Sequence, residues 1–104
     1  MSLVYTLGKS GRKWKSAGDQ TLTVSSSSVS LTVPDRARHA FILIQDATVS
    51  VSFDGTAATT SNLPLPVGDV LDFMDGRNNY DMLSNLRFIR TGSDDGKAYA
   101  VWFD

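Results

Sequence analysis

At 104 residues, 41% of them hydrophobic, the chain has room for one compact domain with a modest core and too little for two. A formal net charge of -1 gives the whole molecule no long-range pull toward nucleic acid or an anionic membrane, and the absence of cysteine excludes a disulfide framework and a thiolate metal site. All eleven acidic residues are aspartate; glutamate favours helix interiors whereas aspartate prefers turns and caps, so the composition leans toward strands and turns.

The first eighteen residues carry Lys9, Arg12, Lys13 and Lys15 and no acid, which reads as a basic arm (1–18) ahead of a folded domain (19–104). They lack the apolar stretch of a signal peptide, and no run in the chain approaches the ~20 apolar residues of a membrane helix, so a soluble protein made in the cytoplasm is expected. Leu22 and Val24 then alternate with Thr21 and Thr23. After the SSSS turn at 25–28, Val29, Leu31 and Val33 alternate with Ser30 and Thr32 until Pro34, which predicts a hairpin with one wet face.

In HAFILIQ (39–45), Phe41 and Leu43 point one way and Ile42 and Ile44 the other, the pattern of a central strand. TVSVSF (48–53) alternates again, with Val49, Val51 and Phe53 inward and Ser50 and Ser52 outward, and a tight hairpin at Asp46 and Ala47 is expected to join the two. Further strands are predicted in VLDFM (70–74), NLRFIR (85–90) and KAYAVWF (97–103), with TGSDDG as the loop between the last two. DGRNNYDMLSN (75–85) is the one place for a short helical turn. Seven to eight short antiparallel strands in this length describe an all-β, jelly-roll-like β-sandwich; an immunoglobulin-like domain would want a tryptophan and cysteine pair that is missing.

Few residues suggest chemistry. Asp54 and Gly55 follow a clean strand and read as a turn; an aspartic dyad would need a second acid motif that the sequence lacks. His39, the single histidine, has no recognisable triad around it. Asp69, Asp72 and Asp75 are spaced so that on a strand they would not converge on a cation, and the EF-hand order is absent. No catalytic residue, cofactor or metal site is expected.

Two features point to partners. In GKSGRKWK (8–15), Lys9, Arg12, Lys13 and Lys15 surround Trp14. This stretch suits either single-stranded nucleic acid or an acidic neighbouring protein, and the protein is favoured because no phosphate loop, aromatic sheet face or recognition helix accompanies it. In the last strand, Ala98, Ala100 and Trp102 occupy one face and Tyr99, Val101 and Phe103 the other, so both faces want burial. A small sandwich covers only one of them, so Tyr99, Trp102 and Phe103 are expected at a subunit contact, the alternative being that the first twenty residues fold back over this face.

The run VSVSFDGTAATTSNLPLPVGDVLDF, then LRFIRTG, then AYAVWF resembles a group of small virion proteins of tailed bacteriophages, over roughly residues 39–103. In these a strand ends in Asp-Gly-Thr, a loop leads to Gly-Asp, and a strand like LRFI precedes an aromatic final strand. Where that pattern often has proline in the loop, this chain has Ala58. The resemblance implies a capsid decoration or cement protein, or a head or tail accessory module: a sandwich without catalytic residues that trimerises or bridges subunits of the major capsid protein or another virion protein. The runner-up expectation is a carbohydrate- or receptor-binding module of a phage tail or fibre, since DGTAATTSN and TGSDDG are polar enough to hydrogen-bond sugars.

Overall fold

The computed structural model describes residues 15–76 and 78–104. Along them lie β1 Ser16–Val24, β2 His39–Gln45, β3 Val49–Ser52, β4 Leu63–Leu65, β5 Val70–Phe73, α1 Tyr80–Asn85, β6 Arg87–Arg90 and β7 Gly96–Phe103. The strands form two antiparallel sheets, in the orders β1-β7-β2-β5 and β4-β3-β6. Beyond β6 the second sheet carries one further rung, where the Val29 N–H donates to the Phe88 carbonyl at 2.9 Å and the Phe88 N–H returns to Val29 at 2.8 Å. With this rung counted as a rudimentary strand after β1, the sheets run 1-8-3-6 and 2-7-4-5 in chain order, which is the paired Greek-key arrangement of a jelly roll.

Alternation explains which residues enter the core. Cross-strand partners share a face, so Ala98, Ala100 and Trp102 of β7 lie level with Ile44, Ile42 and Ala40 of β2, and all six are buried between the sheets. Val49, Val51, Leu65 and Phe88 approach from the second sheet, and α1 adds Leu83, followed by Leu86. The small alanines leave room for the indole of Trp102, which is only 1% exposed.

The structure corrects the predicted hairpins. Leu22 and Val24 do not pair with Val29–Val33: β1 pairs along its length with β7, from Ser16 opposite Phe103 to Val24 opposite Gly96. The residues from Val29 to Val33 keep their alternation, with Leu31 buried and Ser30 and Thr32 exposed, but they close the side of the sandwich between β1 and β6. The link to β1 is a side chain: Gln20 Oε1 accepts the Thr32 N–H at 2.8 Å. Likewise β2 and β3 form no hairpin. Both flanks of β2 are taken, by β7 and β5, so the chain crosses to the other sheet through a tight bend in which Asp46 adopts φ 71° and the Ala47 N–H donates to the Gln45 carbonyl.

Ser50 and Ser52 also depart from expectation, since both are buried. They do lie on the face opposite Val49 and Val51, but Ser50 sits between Pro64 and Ile89 and Ser52 beside Arg87, and these larger neighbours shade the short side chains. The short helix falls within the stretch where a helical turn was predicted. Strand β4, interrupted by Pro64, carried no alternation signal. It is an edge strand, where proline is tolerated because its missing N–H is not needed by a neighbour.

Candidate functional site

Of the residues expected to meet a partner, Lys9, Arg12, Lys13 and Trp14 lie outside the described residues. Lys15 is exposed at the start of β1, and its carbonyl accepts the Asp104 N–H at 2.8 Å. Trp102 is corrected: its side chain belongs to the domain's own core and offers no surface to a neighbour, because β7 turns its even-numbered residues inward. Tyr99 and Phe103 lie on the opposite, outward face. Phe103 is corrected as well: it is only 8% exposed, covered within the chain with its ring centroid 6.1 Å from that of Phe41, whereas Tyr99 is half-buried and its hydroxyl donates to Asp19 Oδ2 at 3.0 Å.

The registers lay out this outward face as rows across four strands. One row reads Asp19, Val101, Phe41, Asp72 and the next Thr21, Tyr99, Leu43, Val70. Apolar side chains fill the middle of both rows, and a carboxylate stands at each end of the first. Neither Asp19 nor Asp72 forms an ion pair among the described residues. Val70, at the end of the second row, is half-exposed, and Val67 is exposed in the preceding turn, where the Asp69 N–H donates to the Pro66 carbonyl and Gly68 supplies the φ of 93°. The described residues contain eleven aspartates against six cations, so this part of the chain is acidic as a whole, whereas Lys9, Arg12 and Lys13 precede it without an acid.

A second candidate surrounds Asp54. Its Oδ1 accepts the Thr56 N–H at 3.1 Å, the Thr56 hydroxyl and the Ser52 hydroxyl at 3.2 Å, closing the turn that Gly55 permits with a φ of 84°. The Thr56 hydroxyl, more than any other donor, holds the carboxyl below its usual range, and the Thr56 N–H adds to this. Eight residues on, Asn62 Oδ1 accepts the Thr59 N–H at 2.7 Å and the Thr59 hydroxyl at 3.3 Å. These two turns bring Asp54, Thr56 and Asn62 together with Val51, Ser52, Phe53 and Leu63 around an open depression of about 270 Å³. A second depression, about 320 Å³, is lined by Ala47, Thr48, Thr91, Gly92, Ser93 and Asp94 and has no aromatic wall.

Sequence reasoning identified the Asp54 turn and the polar loop DGTAATTSN, but not the wall that Val51 and Leu63 add, because these two are brought together by the pairing of β3 with β4. The TTSN turn at 59–62 was the available signal. Among the described residues, no three histidine, aspartate or glutamate side chains converge on a point where a metal ion would be held. Comparison with known proteins finds no matching family model, no matching curated relative and no matching solved structure.

Proposed function

We propose that this chain is a non-enzymatic virion structural protein, a decoration or cement module that associates with further copies of itself, as a trimer, and bridges subunits of the major capsid protein. The observation that carries this reading is the outward face of the four-stranded sheet, where Val101, Leu43, Tyr99 and Val70 form an apolar strip flanked by Asp19 and Asp72. A basic stretch containing a tryptophan, as at residues 9–15, is its chemical complement: cations for the flanking carboxylates, an indole for the apolar middle. In this reading a neighbouring copy supplies that stretch, and sedimentation separates it from an arm that folds back over its own sheet. Burial of ~800 Å² per partner makes a standard interface, and repetition over a shell converts modest contacts into avidity. Jelly rolls serve in capsids and in lectins alike, so the fold is compatible with this reading and does not select it.

The test is sedimentation of the full chain alone and with assembled shells of its virus. A discrete oligomer that binds shells, and that dissociates when residues 1–15 are removed or Leu43 is changed to Glu, is expected. A monomer at all accessible concentrations that leaves shells bare would end the proposal.

A further inference from the structure

The depression beside Asp54 lies apart from the outward face of the four-stranded sheet and is lined by residues of β3, β4 and the turns next to them. Three internal donors converge on Asp54 Oδ1 alone, leaving Oδ2 without a donor among the described residues. Asn62 is held the same way. Its Oδ1 must face the Thr59 N–H, which fixes the amide and turns both N–H groups of Nδ2 away from Thr59, with no acceptor among the described residues. Asp54 and Asn62, both exposed, therefore line one depression, and each side chain is held by its own turn through one oxygen.

The remaining lining is apolar. Phe53 is half-buried, with one side against the core, and Leu63 is 50% exposed. At about 270 Å³ the depression is smaller than the pockets that enclose drug-sized ligands, ~300–1,000 Å³, which suits one ring lying partly in solvent.

We infer that this depression binds a single neutral pyranose ring of a glycan, with one hydroxyl donating to Asp54 Oδ2, a second accepting from Asn62 Nδ2, and the C–H face of the ring against Phe53 and Leu63. Hydroxyls fit because each both donates and accepts, matching a fixed acceptor beside a fixed donor. Anionic ligands fit poorly, since the carboxylate would repel them. The pre-set turns lower the ordering cost of binding, and the small contact area keeps affinity in the millimolar range.

The experiment is a titration of the isotopically labelled full chain, followed by amide chemical shifts, with the methyl glycosides of glucose, galactose, mannose and N-acetylglucosamine tested separately. At least one is expected to give saturable shifts centred on Ser52, Asp54, Thr56, Asn62 and Leu63. Asn62→Asp keeps the acceptor for Thr59 but replaces the ligand donor with a carboxylate, and Asp54→Asn keeps the acceptor for Thr56 but replaces the free oxygen with an amide. Each is expected to weaken binding severalfold: Asp54→Asn exchanges a charge-assisted hydrogen bond for a neutral one, and Asn62→Asp brings a second carboxylate into the same depression and removes its fixed donor. Should either variant fail to fold, Leu63→Ala, expected to weaken binding by roughly threefold through lost apolar contact, carries the test. No saturable shift at these residues with any of the four glycosides, or undiminished binding by the folded variants, would overturn the inference.

Discussion

Arg36 places both its Nε and its Nη2 on one oxygen of Asp104, at 3.1 and 2.9 Å, while Arg38 Nη1 takes the other oxygen at 3.2 Å. The final strand thus ends in a carboxylate held by two guanidinium groups from the segment leading into β2, beside the bond from the Arg38 N–H to the Phe103 carbonyl. Arg36, first by its hydrogen bond and then by its charge, together with Arg38, keeps the Asp104 carboxyl below its ordinary value of 3.8.

Because folding lowers the pKa of this carboxyl, the stabilisation it provides is present in full above the unfolded value near 3.8 and disappears as pH falls through the lower folded value. Asp54 acts in the same direction. The thermal midpoint should therefore be flat with respect to these two groups from neutral pH to about 5 and decline below 4. Asp104→Asn should flatten part of that decline, and added salt should shrink the difference between variant and parent, since the guanidinium groups are largely exposed.

Gly96 is required by a close approach. A Cβ added there would stand 2.6 Å from Val49 Cγ1 and 2.8 Å from the Ala47 carbonyl oxygen, at the point where β7 passes the crossover between β2 and β3. Gly96→Ala should lower stability by about 1–3 kcal/mol in urea unfolding, with an unchanged slope. A variant as stable as the parent would show that the crossover yields easily.

Trp102 and Leu43 separate folding from association. Trp102→Ala should cost about 3–5 kcal/mol, because the indole is enclosed by the core. Leu43→Glu, on the outward face, should cost less and should act chiefly on sedimentation. If Leu43→Glu proves the more destabilising of the two, the division between core and outward face is wrong.

Val29→Pro deletes the donor to the Phe88 carbonyl and leaves that acceptor, on a buried residue, without its partner. A loss of about 1–3 kcal/mol is expected, together with faster hydrogen exchange at the Phe88 amide.

Much of the fold was legible because alternation records which side of a strand is buried. Ile42, Val51, Ala100 and the face assignment of Tyr99 followed from it. Alternation is silent about which strand lies alongside, so Val29–Val33 was given the wrong neighbour and Asp46 the wrong turn. Burial by neighbouring bulk is equally invisible, and Ser50 looked solvent-facing because its shade comes from Pro64 and Ile89, distant in sequence. The turn at Asp54 could be read from its residue types alone. The wall that Val51 and Leu63 add beside it required the pairing of β3 and β4.

The rung at Val29 leaves the sandwich with unequal seams. Where a fuller jelly roll would run a whole strand beside β6, this chain has two backbone bonds between Val29 and Phe88 and a third from the Arg90 N–H to the Ser25 carbonyl. That flank is a short zipper closing over the large side chains behind it, and it should breathe before either sheet frays. A molecule fastened this way can admit water along one side while the rest stays intact, so the earliest step in its unfolding is expected at the seam between β1 and β6.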